Sequence, residues 1–307
     1  MKEVTVYAPA TVANVVCGFD ILGFALSEPH DKMTVRISSK KGVTIINKDE
    51  FNLPTDPSKN VAGVALQAML DGLNGEVVGF EIESTKTIKP GSGIGSSAAS
   101  ASAAVVGANE LLNKRFTKEE LVGFAMCGEA VASGSKHADN IAPCIYGGVV
   151  LVRSNDPIDI ITIPAPPLYV TVLHPQIEIK TSEARQILKK KVALKDAITQ
   201  WANVAGLVAG LMKEDYALIG RSLTDVIVEP MRSTLIPQYD EVKKSSLAAG
   251  ALGGGISGSG PSVFMLSSDE PTAHKVEAAI KEVYDKVGLD YNLYVTTINA
   301  YGVKVIT

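Results

Sequence analysis

The chain of 307 residues reads as an α+β protein built in two parts. Three features carry that reading: an early region with two-residue apolar alternation, longer segments with helical apolar spacing, and the cluster Pro164-Ala165-Pro166-Pro167, which interrupts any regular element. A boundary at the prolines gives parts of residues 1–165 and 166–307. With 46% hydrophobic residues there is ample material for packed cores.

From the N-terminus, residues 4–7, 34–37, 43–46 and 79–83 alternate as strands do. Helices are predicted over 60–71 and 96–112. Thr117-Lys118-Glu119-Glu120 has the form of a capping box, in which Thr117 caps the amide three residues on and Glu120 reaches back, so a helix starts there and runs to about 133. Gly147-Gly148 leads into a strand to Val152. Beyond the prolines come a strand at 169–173 and helices at 182–190, 195–212 and 239–249. A glycine-rich loop follows at 253–262. The last elements, strand 263–266, helix 272–287 and strands 293–298 and 302–305, are expected to form a two-layer α+β sandwich.

The net charge of −4 offers no general attraction to nucleic acid or an anionic membrane, which favours small-molecule partners. No apolar run reaches the ~18 residues of a membrane span, and residues 4–7 read as a strand rather than part of a signal peptide, so a cytoplasmic address is expected. Cys17, Cys127 and Cys144 are odd in number and lack C-x-x-C spacing, as expected of reduced thiols rather than structural zinc ligands.

The most informative stretch is Pro90-Gly91-Ser92-Gly93-Ile94-Gly95-Ser96-Ser97-Ala98-Ala99-Ser100, which runs into an Ala/Ser-rich helix. Glycines at alternate positions argue for a turn where backbone approaches a ligand, and the amides and positive end of the following helix suit phosphate. The spacing fits neither a P-loop nor a dinucleotide fingerprint, so another group must replace the P-loop lysine. The second loop has five glycines in the eight residues from Gly253 to Gly260, and either turns a sheet edge or braces the first loop.

Glu129 stands alone among apolar and small residues between Glu120 and Lys136. It is either an exposed glutamate on an outer helix face or, with a loop serine, a hard-oxygen pair for magnesium. His137-Ala138-Asp139-Asn140 places polar side chains on a turn between apolar elements. Arg185 and Arg232, two of only six arginines, lie in matched polar contexts and suit a carboxylate if they converge; solvated surface positions are the alternative. Asn14 and Asp20 flank a glycine turn and offer an amide and an anion to a hydroxyl or ammonium, or simply form the turn.

Together Ala8–Gly23, Pro90–Ser100 and Gly253–Ser262 resemble the three motifs of the GHMP kinase superfamily, in the right order. The likeness is greatest to its homoserine kinases: Ala-Pro-Ala-x-x-Ala-Asn before Gly-Phe-Asp, the first glycine loop, His-Ala-Asp-Asn-x-Ala-Pro, Thr-x-x-Ala-Arg, Glu-Pro-x-Arg and Gly-Ile-Ser-Gly-Ser-Gly-Pro. The resemblance implies a ribosomal-protein-S5-like N-terminal domain and a ferredoxin-like C-terminal α/β sandwich. It implies ATP- and Mg2+-dependent phosphorylation of the hydroxyl of L-homoserine on the way to threonine, by a homodimer.

Carried over residue by residue, the resemblance implies that Lys89, Pro90, Gly91, Ser92, Gly93, Ile94, Gly95, Ser96, Ser97, Ala98 and Ala99 wrap the triphosphate, with Asn60 near the base. Ser97 and Glu129 approach magnesium. Asn14, Asp20, His137, Asn140, Thr181, Arg185, Arg232 and Gly258 contact homoserine, the arginines taking its carboxylate. Asn140 stands where mevalonate kinases carry an aspartate base, and an amide accepts no proton at neutral pH, so the hydroxyl is expected to be positioned without a dedicated base, with Asn14, Asp20 and Asn140 sharing the hydroxyl and the ammonium in a division the residues leave open. Two departures stand out: Val15-Val16-Cys17 replaces a more usual Leu-Gly-Pro, and Lys89 precedes the loop, where it is expected to supply part of the missing charge. Another small-molecule kinase of the superfamily and a non-catalytic ligand-binding relative are the competing readings. A nicotinamide oxidoreductase lacks the strand-linked G-x-G-x-x-G it needs.

Overall fold

Strand alternation extends beyond the short apolar repeats. In the computed structural model, which describes residues 2–73, 75–76 and 78–306 and only the backbone of Ser133, β1 is Glu3–Ala13 and β2 is Leu22–Ser38. Both are longer than predicted; in β1 Ala8, Ala10 and Ala13 are small yet fully buried, a signal that apolar alternation does not weigh. Next come β3 (Gly42–Asn47), α1 (Val61–Asp71), β4 (Gly79–Thr85), α2 (Ser96–Leu111), α3 (Lys118–Ser133), α4 (Ile141–Tyr146), β5 (Val149–Asn155) and β6 (Ile158–Ile163). The capping box of Thr117 and Glu120 is present at the start of α3.

After the prolines follow β7 (Tyr169–Pro175), α5 (Thr181–Gln186), α6 (Leu194–Lys213), α7 (Tyr216–Ser222), α8 (Glu229–Arg232), α9 (Tyr239–Ala248), β8 (Gly253–Ile256), β9 (Val263–Ser267), α10 (Glu270–Tyr284), β10 (Tyr291–Thr297) and β11 (Lys304–Ile306). Among the described residues these strands form two sheets. The first has the order β11-β1-β2-β4-β3, with β5 on the other end of β2 and β6 on β5. Among the described residues only β3 and β4, the strands joined through α1, pair in parallel. The second sheet, β10-β7-β9-β8, is antiparallel throughout and packs on α9 and α10.

Three expectations are corrected. The strand predicted at 302–305 does not belong to the C-terminal sandwich: the Asn299 side chain accepts from the amides of Tyr301 and Gly302, turning the chain so that β11 pairs with β1. The second glycine stretch is not loop throughout, because Gly253–Ile256 is strand β8; a Cβ on Gly254 would lie 2.0 Å from the Phe264 carbonyl oxygen, so glycine lets the pair close. The helix predicted to Lys190 ends at Gln186. One T-shaped contact, Phe24 of β2 on Phe264 of β9 with centroids 5.6 Å apart, ties the two sheets together.

Helix α2 positions the site. Its buried residues are alanine, serine and glycine apart from Val105 and Asn109, so it lies deep, with most of its residues buried. A Cβ on Gly107 would come within 2.6 Å of Val35 Cγ2 on β2. Small side chains here bring the N-terminus of α2, and the loop before it, into the middle of the molecule.

Candidate active site

The loop before α2 is held from both sides. Gly93 and Gly95 have φ of 83° and 72°, the left-handed region. Added Cβ atoms would meet the Gly260 carbonyl oxygen at 2.5 Å and Thr11 Oγ1 at 2.0 Å. Ser257 Oγ donates to the Gly93 carbonyl at 2.8 Å and Ser262 Oγ to that of Ser92 at 2.6 Å, while the Thr11 amide donates to Ile94 at 3.1 Å. The turn after β8 is therefore a brace for the first loop. Gly95 caps α2 without a side chain, which leaves the first amides of a 16-residue helix for an anion.

The loop borders a cavity of about 390 Å3, within the range of small-molecule sites. Pro90, Gly91, Gly93, Gly95, Ser96 and Ser97 line it. Ser92, Ile94, Ala98 and Ala99 do not; they are buried behind the loop. Asn60 is the N-cap of α1: its Oδ1 accepts from the Ala62 and Gly63 amides and its Nδ2 donates to Pro54, while its neighbour Val61 reaches the cavity.

Of the two lysines near the loop, Lys86 lines the cavity and Lys89 does not. Lys89 is exposed and its ammonium donates to Gln176 Oε1 at 2.9 Å, away from the cavity wall. The cavity carries Lys86 instead, buried and paired with Asp31, and donating to the Ser96 carbonyl and to Ser100 Oγ at 3.1 and 2.8 Å. Asp31 also accepts from the Ile88 amide, so the pair pins the strand-to-loop corner. Sequence reasoning missed Lys86 because an isolated lysine two residues before the apolar Ile88 carries no motif.

Ser97 and Glu129 meet. Ser97 Oγ donates to Glu129 Oε2 at 2.6 Å, and both line the cavity, so Glu129 does not lie on an outer face. Beside them Thr11 Oγ1 donates to Asn140 Oδ1 at 2.7 Å, and Asn140 Oδ1 lies 3.1 Å from where a Gly95 Cβ would be. Asn140 thus stands at the junction between the phosphate loop and the far end of the cavity.

That far end is built by both halves of the chain. Arg185 of α5 forks onto Asp20 with contacts of 2.8 to 3.1 Å. Its guanidinium lies 5.4 Å from the centre of the Phe19 ring, and that of Arg232 lies 5.0 Å from it, so the two arginines converge. Arg232 is buried and donates to the Gly258 and Ala184 carbonyls; burial, then repulsion by Arg185, lowers its pKa to about 10.

Asn14 Nδ2 donates to Gly258 at 2.7 Å while its Oδ1 accepts from the Asp20 amide at 3.0 Å, a clip between the N-terminal turn and the β8–β9 turn. Thr181 Oγ1 lies 3.3 Å from Ser259 Oγ. His137 Nε2 lies 2.7 Å from Ser135 Oγ, and burial, with Arg185 nearby, lowers its pKa. Asn14, Val15, Val16 and Asp20 all have positive φ, so the Val-Val departure puts β-branched residues in a conformation they disfavour. One acid was overlooked: Asp139 lines the cavity, and burial, then Asp20 and Glu129, raise its pKa to about 7.

Residues 60–148 match the family of the GHMP kinases N terminal domain and 207–286 that of GHMP kinases C terminal. The chain is 48% identical to the homoserine kinase of Chloroherpeton thalassium over the whole of both chains. It shares 51% identity and a TM-score of 0.95 with the crystal structure of homoserine kinase from Cytophaga hutchinsonii, covering 100% of this chain and 98% of that one. The L. major mevalonate kinase in complex with R-mevalonate has the same fold, at 18% identity and a TM-score of 0.72 over 96% of this chain and 95% of that one. With the uncapped helix, the glycine brace and the paired arginines in one cavity, these likenesses place the chain in the homoserine kinase family of the GHMP kinases.

Proposed function

We propose that this protein transfers the γ-phosphoryl group of ATP to the side-chain hydroxyl of L-homoserine, giving O-phospho-L-homoserine for threonine synthesis. The Asp20–Arg185 ion pair beside Arg232, at the opposite end of one cavity from the open N-terminus of α2, carries this reading. A zwitterion matches that pair. Its ammonium replaces part of the charge that Asp20 takes from Arg185, and its carboxylate lies against Arg185 and Arg232. A neutral alcohol would leave both arginines with nothing new to bind.

In this reading the triphosphate lies along Pro90–Ser97, bound by loop amides and the α2 N-terminus. The hydroxyl is presented from the Asn140 turn, with Asn14, Thr181, His137 and Gly258 shaping the space around the substrate. Ser97 Oγ and Glu129 Oε2, hard oxygens 2.6 Å apart beside the loop, fit magnesium, which takes one or two protein oxygens along with phosphate and water. When bound, the ion neutralises charge between the phosphates. Asn140 orients the hydroxyl without taking its proton, because phosphoryl transfer is chiefly a matter of alignment and charge. Lys86 replaces Lys89 as the cation under the loop, acting through the Ser96 carbonyl.

We further propose that the chain works in the cytoplasm as a homodimer, its halves divided at residues 165/166 apart from the return of β11. Among the described residues no helix is long and apolar enough to cross a membrane. A coupled ADP-release assay with Mg-ATP across L-homoserine, L-threonine, mevalonate, shikimate and galactose tests the activity. Turnover is expected with L-homoserine above all others; turnover with another alcohol and none with homoserine would overturn it.

A further inference from the structure

Helix α6 lies outside the cavity and carries an apolar face that none of the described residues covers. Its inner side, with Gln200, Leu207, Gly210 and Leu211, is buried. On its outer side Leu194, Ile198, Trp201 and Met212 are 69, 48, 56 and 61% exposed. No charged residue occurs from Ala197 to Met212. A helix apolar on both sides is normally covered on both.

The outer stripe, Leu194, Ile198, Trp201, Ala205, Val208 and Met212, advances by steps of 4, 3, 4, 3 and 4 residues, the seam of a coiled coil. The steps read the same from either end. Turned end over end against its own copy, α6 places Leu194 opposite Met212, Ile198 opposite Val208, and the bulky Trp201 opposite the small, exposed Ala205. A large side chain facing a small one twice over, about a two-fold axis, is what an isologous contact requires. The ends agree as well: Lys191, just before the helix, comes level with Asp215, just after it, and the two helix dipoles oppose.

We propose that the homodimer is held by this antiparallel α6–α6 contact, the occupant of the stripe being a second copy of the chain. The inference rests on the homodimer reading above and adds its surface. At roughly 150–250 Å2 for a large side chain, covering the exposed parts of the stripe and Val192 removes on the order of 500–600 Å2 per copy, about 1,000–1,200 Å2 in the pair. That reaches the lower edge of specific interfaces, about 1,200 Å2. Ile161 on the edge strand β6, 43% exposed, is apolar surface available to extend it.

The test is sedimentation equilibrium on the full chain at micromolar concentration. Wild type is expected to be a dimer, with Trp201→Ala and Ala205→Trp each weakening it by about 100-fold. Because the seam is symmetric, the double variant carrying both changes exchanges knob and hole and is expected to return to within about tenfold of wild type. Tyr301→Lys, at an exposed tyrosine outside α6, serves as the unchanged control. A dimer indifferent to the α6 variants would overturn the surface and leave the homodimer standing. A monomeric wild type would overturn both, as would a monomer whose stripe instead binds anionic lipid vesicles.

Discussion

At the scale of single residues, the buried acid Asp139 has a consequence for pH. Its carboxyl is raised from an ordinary 3.8 to about 7, first by burial and then by Asp20 and Glu129. The folded chain therefore holds a proton there that the unfolded chain has released. This group's contribution to stability is full below about pH 4, falls as pH rises to about 7, and changes no further above that. Asp139→Asn is expected to remove this slope: the variant's urea midpoint should gain on wild type's from pH 4.5 to pH 8, and a difference between the two that stays constant over that range would contradict it. Neither Asp139 nor Lys86 was legible as a special group in the sequence, since burial by distant segments makes them so. Glu129 was legible because a charge alone in an apolar stretch demands a partner. The arginines were legible as residue types, but their meeting over Phe19 was not.

At the scale of elements, the two glycine stretches were readable as crowded backbone, and the structure explains the crowding: one is a loop, the other a strand and turn that brace it. Ser257 and Ser262, fully buried, hold the Gly93 and Ser92 carbonyls. Ser257→Ala removes a donor and leaves the part-buried Gly93 carbonyl short of a partner, a cost of about 1–2 kcal/mol. The expected outcome is that much loss of unfolding free energy and a several-fold rise in the KM for ATP, with the KM for homoserine much less changed. An unaltered KM for ATP in steady-state kinetics would mean that the brace does not set the loop's shape. Helices with capping boxes or long apolar periods were predicted closely. The elements misread were those whose pairing is decided far away: β8 by its approach to β9, β11 by the turn at Asn299, and α5 by the end of its contacts.

At the scale of the whole molecule, the site exists only where both halves meet. The first supplies the anion-binding helix and Asp20, the second Arg185, Arg232 and the Gly258 turn, while β11 and the Phe24–Phe264 contact fasten them together. Selectivity for an amino acid should then depend on a residue far along the chain from the phosphate loop. The most direct measurement is kcat/KM for L-homoserine against 3-amino-1-propanol, the same molecule without its carboxylate, in wild type and Arg232→Ala. Wild type is expected to prefer homoserine by at least about 100-fold, and the variant to lose most of that preference through a raised KM for homoserine, leaving aminopropanol nearly unchanged. A preference that survives Arg232→Ala intact would contradict the account.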